Sequence, residues 1–203
     1  ERASARETAA RVAAGAVCIK ALAALGVRVL GYVTSIGGIK AEDPVLPIMK
    51  IEERMRAVQK KVPGDLRVAD AKAAVKMIKK IDIAAAAGDT LGGTVKVLAE
   101  GLPAGLGDYT QWDKKLDARI AAALMSIQAF KAVGFGAGFS YAGSYGSKIH
   151  DAIYYSRLRG YYRKTNNAGG IEGGMTNGMP IDVSAAVKPI STVKKGVQSV
   201  DCR

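Results

Sequence analysis

Glycine sets the limits on this chain. It supplies 24 of the 203 residues, and the glycines recur where one segment must end and the next begin, because they take turn conformations at little steric cost. The longest charge-free run, Ala132–Ser147, holds five glycines and three serines. A membrane-spanning helix is therefore excluded. The apolar fraction of 49% and the charged fraction of 24% are those of a globular chain, neither disordered nor fibrous. The length predicts a single domain over 1–203.

Between the glycines the pattern alternates. Ser4 followed three residues later by Glu7 reads as a capping box. The spacing predicts an alanine-rich, substantially buried helix over 5–25, stopped by Gly26. Val27–Ile39 is β-branched and reads as a strand broken at Gly37-Gly38. Residues 42–47 read as a loop, and 51–61 as a charged surface helix ended by Pro63-Gly64. A longer helix is expected over 69–87, a strand over 94–101, and a helix over 114–126. Strands follow at 130–139, 152–163 and 180–187, with loops at 105–112, 143–151, 165–178 and 188–192. The fold class is α+β with antiparallel strand pairing.

The net charge is +12, and residues 121–203 carry 10 basic against 4 acidic groups. Such a balance attracts anions: nucleic acid, acidic membrane or phosphorylated small molecules. Dense basic runs interleaved with aromatics are missing, so neither nucleic acid nor membrane is the expected partner. Cys18 and Cys202 form neither a disulfide framework nor a metal pattern, and no secretory signal is visible, which points to a reducing, cytoplasmic setting. His150 stands alone, which removes any site needing two imidazoles from this chain; it reads as surface or structural.

Three segments depart from structural filler. Arg2 and Arg6 flank the start of the first helix, where free N–H groups and the helix dipole favour an anion; an ordinary capping box with solvated arginines is the commoner arrangement. Thr165–Gly178 holds five glycines and three asparagines, suited to close backbone approach to a ligand or to a long hairpin loop. Lys188-Pro-Ile-Ser-Thr192 offers an ammonium and two hydroxyls on a stiff loop, a phosphate cradle or a turn.

Taken together, Arg2-Ala-Ser-Ala-Arg-Glu-Thr8, Gly88-Asp-Thr-Leu-Gly-Gly93, Gly101-Leu-Pro-Ala-Gly-Leu-Gly107, Lys115-Leu-Asp117, Met125-Ser-Ile127, Thr165–Pro180 and Lys188–Thr192 resemble chorismate synthase, in that family's order and over nearly the whole chain. The resemblance implies a sandwich of helices between antiparallel β-sheets, a homotetramer, and a carbon–oxygen lyase. Its reaction is the anti-1,4-elimination of phosphate from 5-enolpyruvylshikimate 3-phosphate to give chorismate. It needs reduced FMN, with NADPH as a source of electrons. It further implies flavin contacts at Arg2, Ala3, Ser4, Gln128, Ala129, Gly173, Lys188, Pro189, Ile190, Ser191 and Thr192, a substrate-anion contact at Arg6, and no metal.

The family's two acid–base histidines lie in Gly-Glu-Ser-His-Gly and Arg-Pro-Gly-His-Ala-Asp motifs that these 203 residues do not contain, so no catalytic residue is assigned. The chain reads as an internal portion that is expected to bind flavin without turnover. Two alternatives remain: a non-catalytic flavin- or phosphate-binding core, and a basic nucleic-acid-binding module. Smaller departures are Lys96, where the family commonly carries an acidic residue, and Ala132 and Gly134, where it usually has Gly and Glu.

Overall fold

The structure is a computed structural model, described here for residues 5–198 and 200. Its centre is a five-stranded sheet in the order β2-β1-β3-β9-β4. The strands are β1 Arg28–Ile36, β2 Ile39–Lys40, β3 Gly93–Glu100, β4 Phe130–Phe135 and β9 Ile181–Val187. Every neighbouring pair is antiparallel. Since β3 and β4 both run against β9, they are parallel to one another. Between them in sequence lies helix α4, Leu116–Met125, so β3-α4-β4 is a crossover unit into which β9 is later inserted.

Strand alternation assigns the two sheet faces. Leu30, Tyr32 and Leu98 point to one face and pack with Ile48 and Ile51. Those two residues belong to α2, Ile48–Gln59. Ile181, Val183 and Val133 point to the other face and pack with Leu116, Ile120 and Leu124 of α4. A third cluster, built on Met77, Ala73 and Ala74 of α3, Ala71–Ala86, closes over Val33, Ile36 and Ile39. Asp70 caps α3, accepting from the N–H groups of Lys72 and Ala73 at 2.9 and 3.1 Å, which satisfies two donors the helix cannot pair itself. Although α2 was expected as a surface helix, Ile48 and Ile51 are fully buried and anchor it.

Several expectations are corrected. The first helix, α1, spans Thr8–Ala24 after a 3₁₀ turn at Ala5–Glu7; Ser4 of the capping box lies outside the described residues. None of the residues of α1 is buried, and Val12 and Val17 are 67% and 70% exposed. The small and apolar residues that suggested burial surround the helix on all sides, so no single stripe directs it onto the sheet, whose faces are already taken by α2 and α4.

The strand expected over 152–163 is a hairpin, β5 Ile153–Ser156 and β6 Gly160–Arg163. Its turn needs Gly160 at φ +64°. The strand expected over 130–139 stops at Phe135, because Gly136 takes φ +53°. A Cβ there would collide with the carbonyl oxygen of Asn167, so only glycine lets the two backbones meet. A 3₁₀ turn follows at Gly138–Gly143, then a short helix α5 at Gly146–Ile149. The glycine-rich loop at 165–178 contains its own hairpin, β7 Ile171–Glu172 and β8 Met175–Thr176. No helix among the described residues is long and apolar enough to cross a membrane.

Candidate functional site

The β4–β9 register brings distant segments together. Phe130 pairs with Val187, and one step beyond, the N–H of Lys188 donates to the carbonyl oxygen of Ala129 at 2.9 Å. Ala129 sits at φ +70°, a left-handed conformation that costs a non-glycine residue about 1 kcal/mol. The loop 188–192 is pinned from a second side, where the Thr90 hydroxyl donates to the carbonyl of Ile190 at 2.7 Å. Beyond it, Lys195 N–H donates to Gly88 O at 3.0 Å. Gly92 lies so close that a Cβ would meet the Val187 oxygen at 2.7 Å. The Gly88–Gly93 motif thus serves as the floor of the loop.

The start of α1 arrives at the same place. Gln128 Nε2 donates to Glu7 Oε2 at 2.9 Å, and the Thr8 hydroxyl donates to Gln128 Oε1 at 3.3 Å. Arg11 Nε pairs with Glu7 at 2.9 Å, and its Nη1 donates to Ser126 Oγ at 2.8 Å. The hydrogen bond from Gln128, and after it that from Arg11, hold the Glu7 carboxyl below the ordinary glutamate range. The sequence marked Glu7 only as part of a capping box, and gave Thr8 and Arg11 no site role. Their contacts span more than a hundred residues of chain, a separation that local patterns do not encode.

The residues expected at a flavin divide into three groups. Gln128, Ala129 and Lys188–Thr192 are adjacent, and Arg6 immediately precedes this cluster. Gly173 lies elsewhere, in the β7–β8 turn at φ +60°; its neighbour Gly174 accepts from Leu116 N–H at 2.9 Å, at the opposite end of α4 from Gln128. Arg2, Ala3 and Ser4 lie outside the described residues. The side chains of Lys188, Ser191 and Thr192 are exposed, and Lys188 forms no ion pair among the described residues. An apolar cleft of about 460 Å³ opens beside the loop, lined by Ile36, Ile81, Leu91, Val95, Val187 and Ile190. An uncommitted ammonium, two hydroxyls and a neighbouring apolar wall suit a ligand with an anionic end and a flat apolar end. The residues present therefore fit a flavin mononucleotide.

A polar cluster occupies the other sheet face. Lys96 Nζ meets Asp43 at 2.5 Å and Asp182 at 2.9 Å, and the Tyr32 hydroxyl donates to Asp43 at 2.7 Å. Burial would lower the lysine pKa, but its hydrogen bonds to the two carboxylates outweigh this and raise it. Burial raises that of Asp182, against the pull of Lys96, and burial followed by the Asp43 contact raises that of Tyr32. Lys96, at a position commonly acidic in the family the sequence resembles, is thus matched by two aspartates.

The chorismate synthase family model matches residues 1–203. The chain belongs to the chorismate synthase family. A chorismate synthase of Geobacillus sp. (strain WCH70) is 52% identical over 201 residues, covering 99% of this chain and 50% of the relative. One from Geobacter sulfurreducens is 50% identical over 208 residues, covering 99% of this chain and 51% of the relative. A crystal structure of chorismate synthase superposes with a TM-score of 0.84 at 44% identity, covering 94% of this chain and 57% of that one. The mixed helix and antiparallel-sheet architecture is therefore that of chorismate synthase, and this chain spans about half the length of the curated relatives it matches.

Proposed function

We propose that this chain, as a single domain over 1–203, supplies the flavin-holding part of a chorismate synthase, a carbon–oxygen lyase. Its reaction would be the anti-1,4-elimination of phosphate from 5-enolpyruvylshikimate 3-phosphate. One observation carries the reading: the start of α1, the left-handed Ala129 and the Lys188–Thr192 loop meet at one end of β4 and β9. Gln128, Ala129 and Lys188–Thr192 are among the residues that the family resemblance implies for FMN contact.

In this reading Lys188 and the Ser191 and Thr192 hydroxyls hold the phosphate end of FMN. Gln128 and Ala129 face the ring system; Arg2, Ala3, Ser4 and Gly173 are flavin contacts on the family resemblance alone. Reduced FMN would supply electron density to the substrate and recover it, with no net redox change. Arg6 adds positive charge for the substrate anions, and the chain's net charge of +12 favours a ligand pair rich in phosphate and carboxylate. The working form is a cytoplasmic homotetramer whose flavin is reduced at the expense of NADPH.

The test is a flavin titration followed by fluorescence, paired with anaerobic turnover of 5-enolpyruvylshikimate 3-phosphate. A charge-assisted bond to phosphate contributes about 1.5–3 kcal/mol. Lys188→Ala is therefore expected to weaken FMN binding roughly ten- to hundredfold. Unaltered affinity would remove Lys188 from the phosphate site. Flavin binding without turnover would identify a cofactor-holding unit alone.

A further inference from the structure

The side-chain amide of Gln128 is gripped at both ends. Its Nε2 donates to Glu7 Oε2 at 2.9 Å, and its Oε1 accepts from the Thr8 hydroxyl at 3.3 Å. An amide held this way has one favoured flip state, because reversing it would set its oxygen against the Glu7 carboxylate, two acceptors with no proton between them, while the Thr8 hydroxyl can donate or accept. Glu7 is itself immobilised. Arg11 Nε donates to both of its carboxylate oxygens, at 3.0 and 2.9 Å. The same guanidinium reaches Ser126 Oγ at 2.8 Å, and Ser126 donates to Ala123 O at 2.7 Å. The chain of contacts runs from α1 to the C-terminal end of α4 and encloses the two residues that lead into β4.

Glu7 was read from the sequence as the second half of a capping box. In the structure its carboxylate is spent on Gln128 and Arg11, and the α1 N-cap position makes no side-chain capping bond. Its hydrogen bonds among the described residues therefore serve the junction between α1 and α4.

We propose that Glu7 is a positioning residue for the cofactor: it fixes the orientation of the Gln128 amide, with Thr8 as its counterpart, so that Gln128 and the adjoining Ala129 meet FMN preorganised. This rests on the proposed flavin reading. Preorganisation removes the cost of ordering a long amide side chain on binding, so its loss appears as weaker binding with the fold intact.

The experiment is a double-mutant cycle on the full protein, with FMN as the probe, read by fluorescence titration and by the visible absorption of the bound flavin. Glu7→Ala is expected to raise the FMN dissociation constant about tenfold and to shift the flavin band. Glu7→Gln, whose carbonyl oxygen still accepts from Gln128, is expected to stay within about threefold of the parent, and Thr8→Val to fall between the two. In a Gln128→Ala background, Glu7→Ala should add nothing, since its effect passes through that side chain. The Gln128 side-chain amide resonances, recorded without flavin, should lose their dispersion in Glu7→Ala.

Equal affinities for the parent and Glu7→Ala, or additive effects in the cycle, would overturn the proposal and leave the flavin reading standing. Absence of FMN binding by the parent would remove the flavin reading, and the proposal with it. Should Glu7→Ala not fold, Thr8→Val and Glu7→Gln, each judged against Gln128→Ala, decide the same question.

Discussion

Replacing Lys96 by methionine tests the polar cluster directly. The two side chains are similar in length, so no cavity opens, and the change isolates the charge. Lys96 and Asp182 side chains are 12% and 18% exposed, while Asp43 is 41% exposed. Asp43 can recover water once its partner is gone. Asp182 cannot do so fully, and its Oδ1 is already buried without a hydrogen-bond partner.

Removing one member of a buried ion pair costs about 3–5 kcal/mol, and the exposure of Asp43 places this case near 3. An independent ceiling agrees. Holding a carboxyl of ordinary pKa neutral at pH 7 costs about 4 kcal/mol, at 1.36 kcal/mol per unit. The ceiling falls to about 1.5 kcal/mol at pH 5.

The sign follows from proton counting. Without Lys96, the folded state holds a proton on Asp182 that the unfolded chain has released. Stability then falls as pH rises from the ordinary aspartate pKa toward the raised folded value. Urea unfolding monitored by far-ultraviolet circular dichroism at pH 5 and pH 7 is the assay, with midpoint and slope both recorded. Lys96→Met should lose about 3 kcal/mol at pH 7 and about half of that at pH 5. Adding Asp182→Asn should restore most of the loss. A penalty under about 1 kcal/mol, or one independent of pH, would refute the argument.

Two further outcomes are expected. Burial would push the Asp70 carboxyl up, but N–H bonds from Glu42, Ala73 and Lys72 overcome this and depress its pKa. Its contribution should be complete above the ordinary aspartate pKa of about 3.9 and lost as pH falls through the folded value. Asp70→Ala should accordingly cost about 1 kcal/mol at pH 7 and flatten acid unfolding below pH 4, as followed by thermal melts. Gly136 and Gly138 share φ +53°, but a Cβ at Gly136 strikes backbone of Asn167 and Gly169 while one at Gly138 meets nothing within 4 Å. Gly138→Ala should cost only about 1 kcal/mol. Gly136→Ala should cost more than about 3 kcal/mol or abolish soluble expression.

Where local chemistry decides the conformation, the sequence was readable. Gly37-Gly38 breaks β1 from β2 as expected, and α3, β3 and β9 fall within two residues of their expected ends. The hairpin over 153–163 was missed because Arg157-Leu158-Arg159 continues a strand-like alternation, leaving Gly160 as the one local signal of a turn. The exposure of α1 was missed because small apolar residues specify close approach without naming a neighbour. At the candidate site, the loop at 188–192 and the start of the first helix stood out singly, by composition. Their meeting at Gln128–Ala129 depends on the β4–β9 register, a long-range pairing that short windows do not carry. The Lys96 cluster was hidden for the same reason: Asp43, Lys96 and Asp182 come from three distant segments.

The late insertion of β9 has a consequence for how the chain reaches this fold. As the polypeptide leaves the ribosome, β3, α4 and β4 are complete before residue 181 exists, yet β3 and β4 do not pair with each other. β3 therefore waits with one side of its backbone unpaired and β4 with both, edges able to recruit a foreign strand. Bringing β9 to β3 closes a loop of roughly ninety residues; its entropic cost grows only logarithmically with length, but the search is slow. Until that strand arrives, α4 and the β7–β8 hairpin lack the apolar surface of Ile181 and Val183 against which they pack. Synthesis halted between residues 136 and 180 should accordingly release a chain that chaperones bind and proteases cut, whereas a pause beyond residue 187 should release one able to close its sheet.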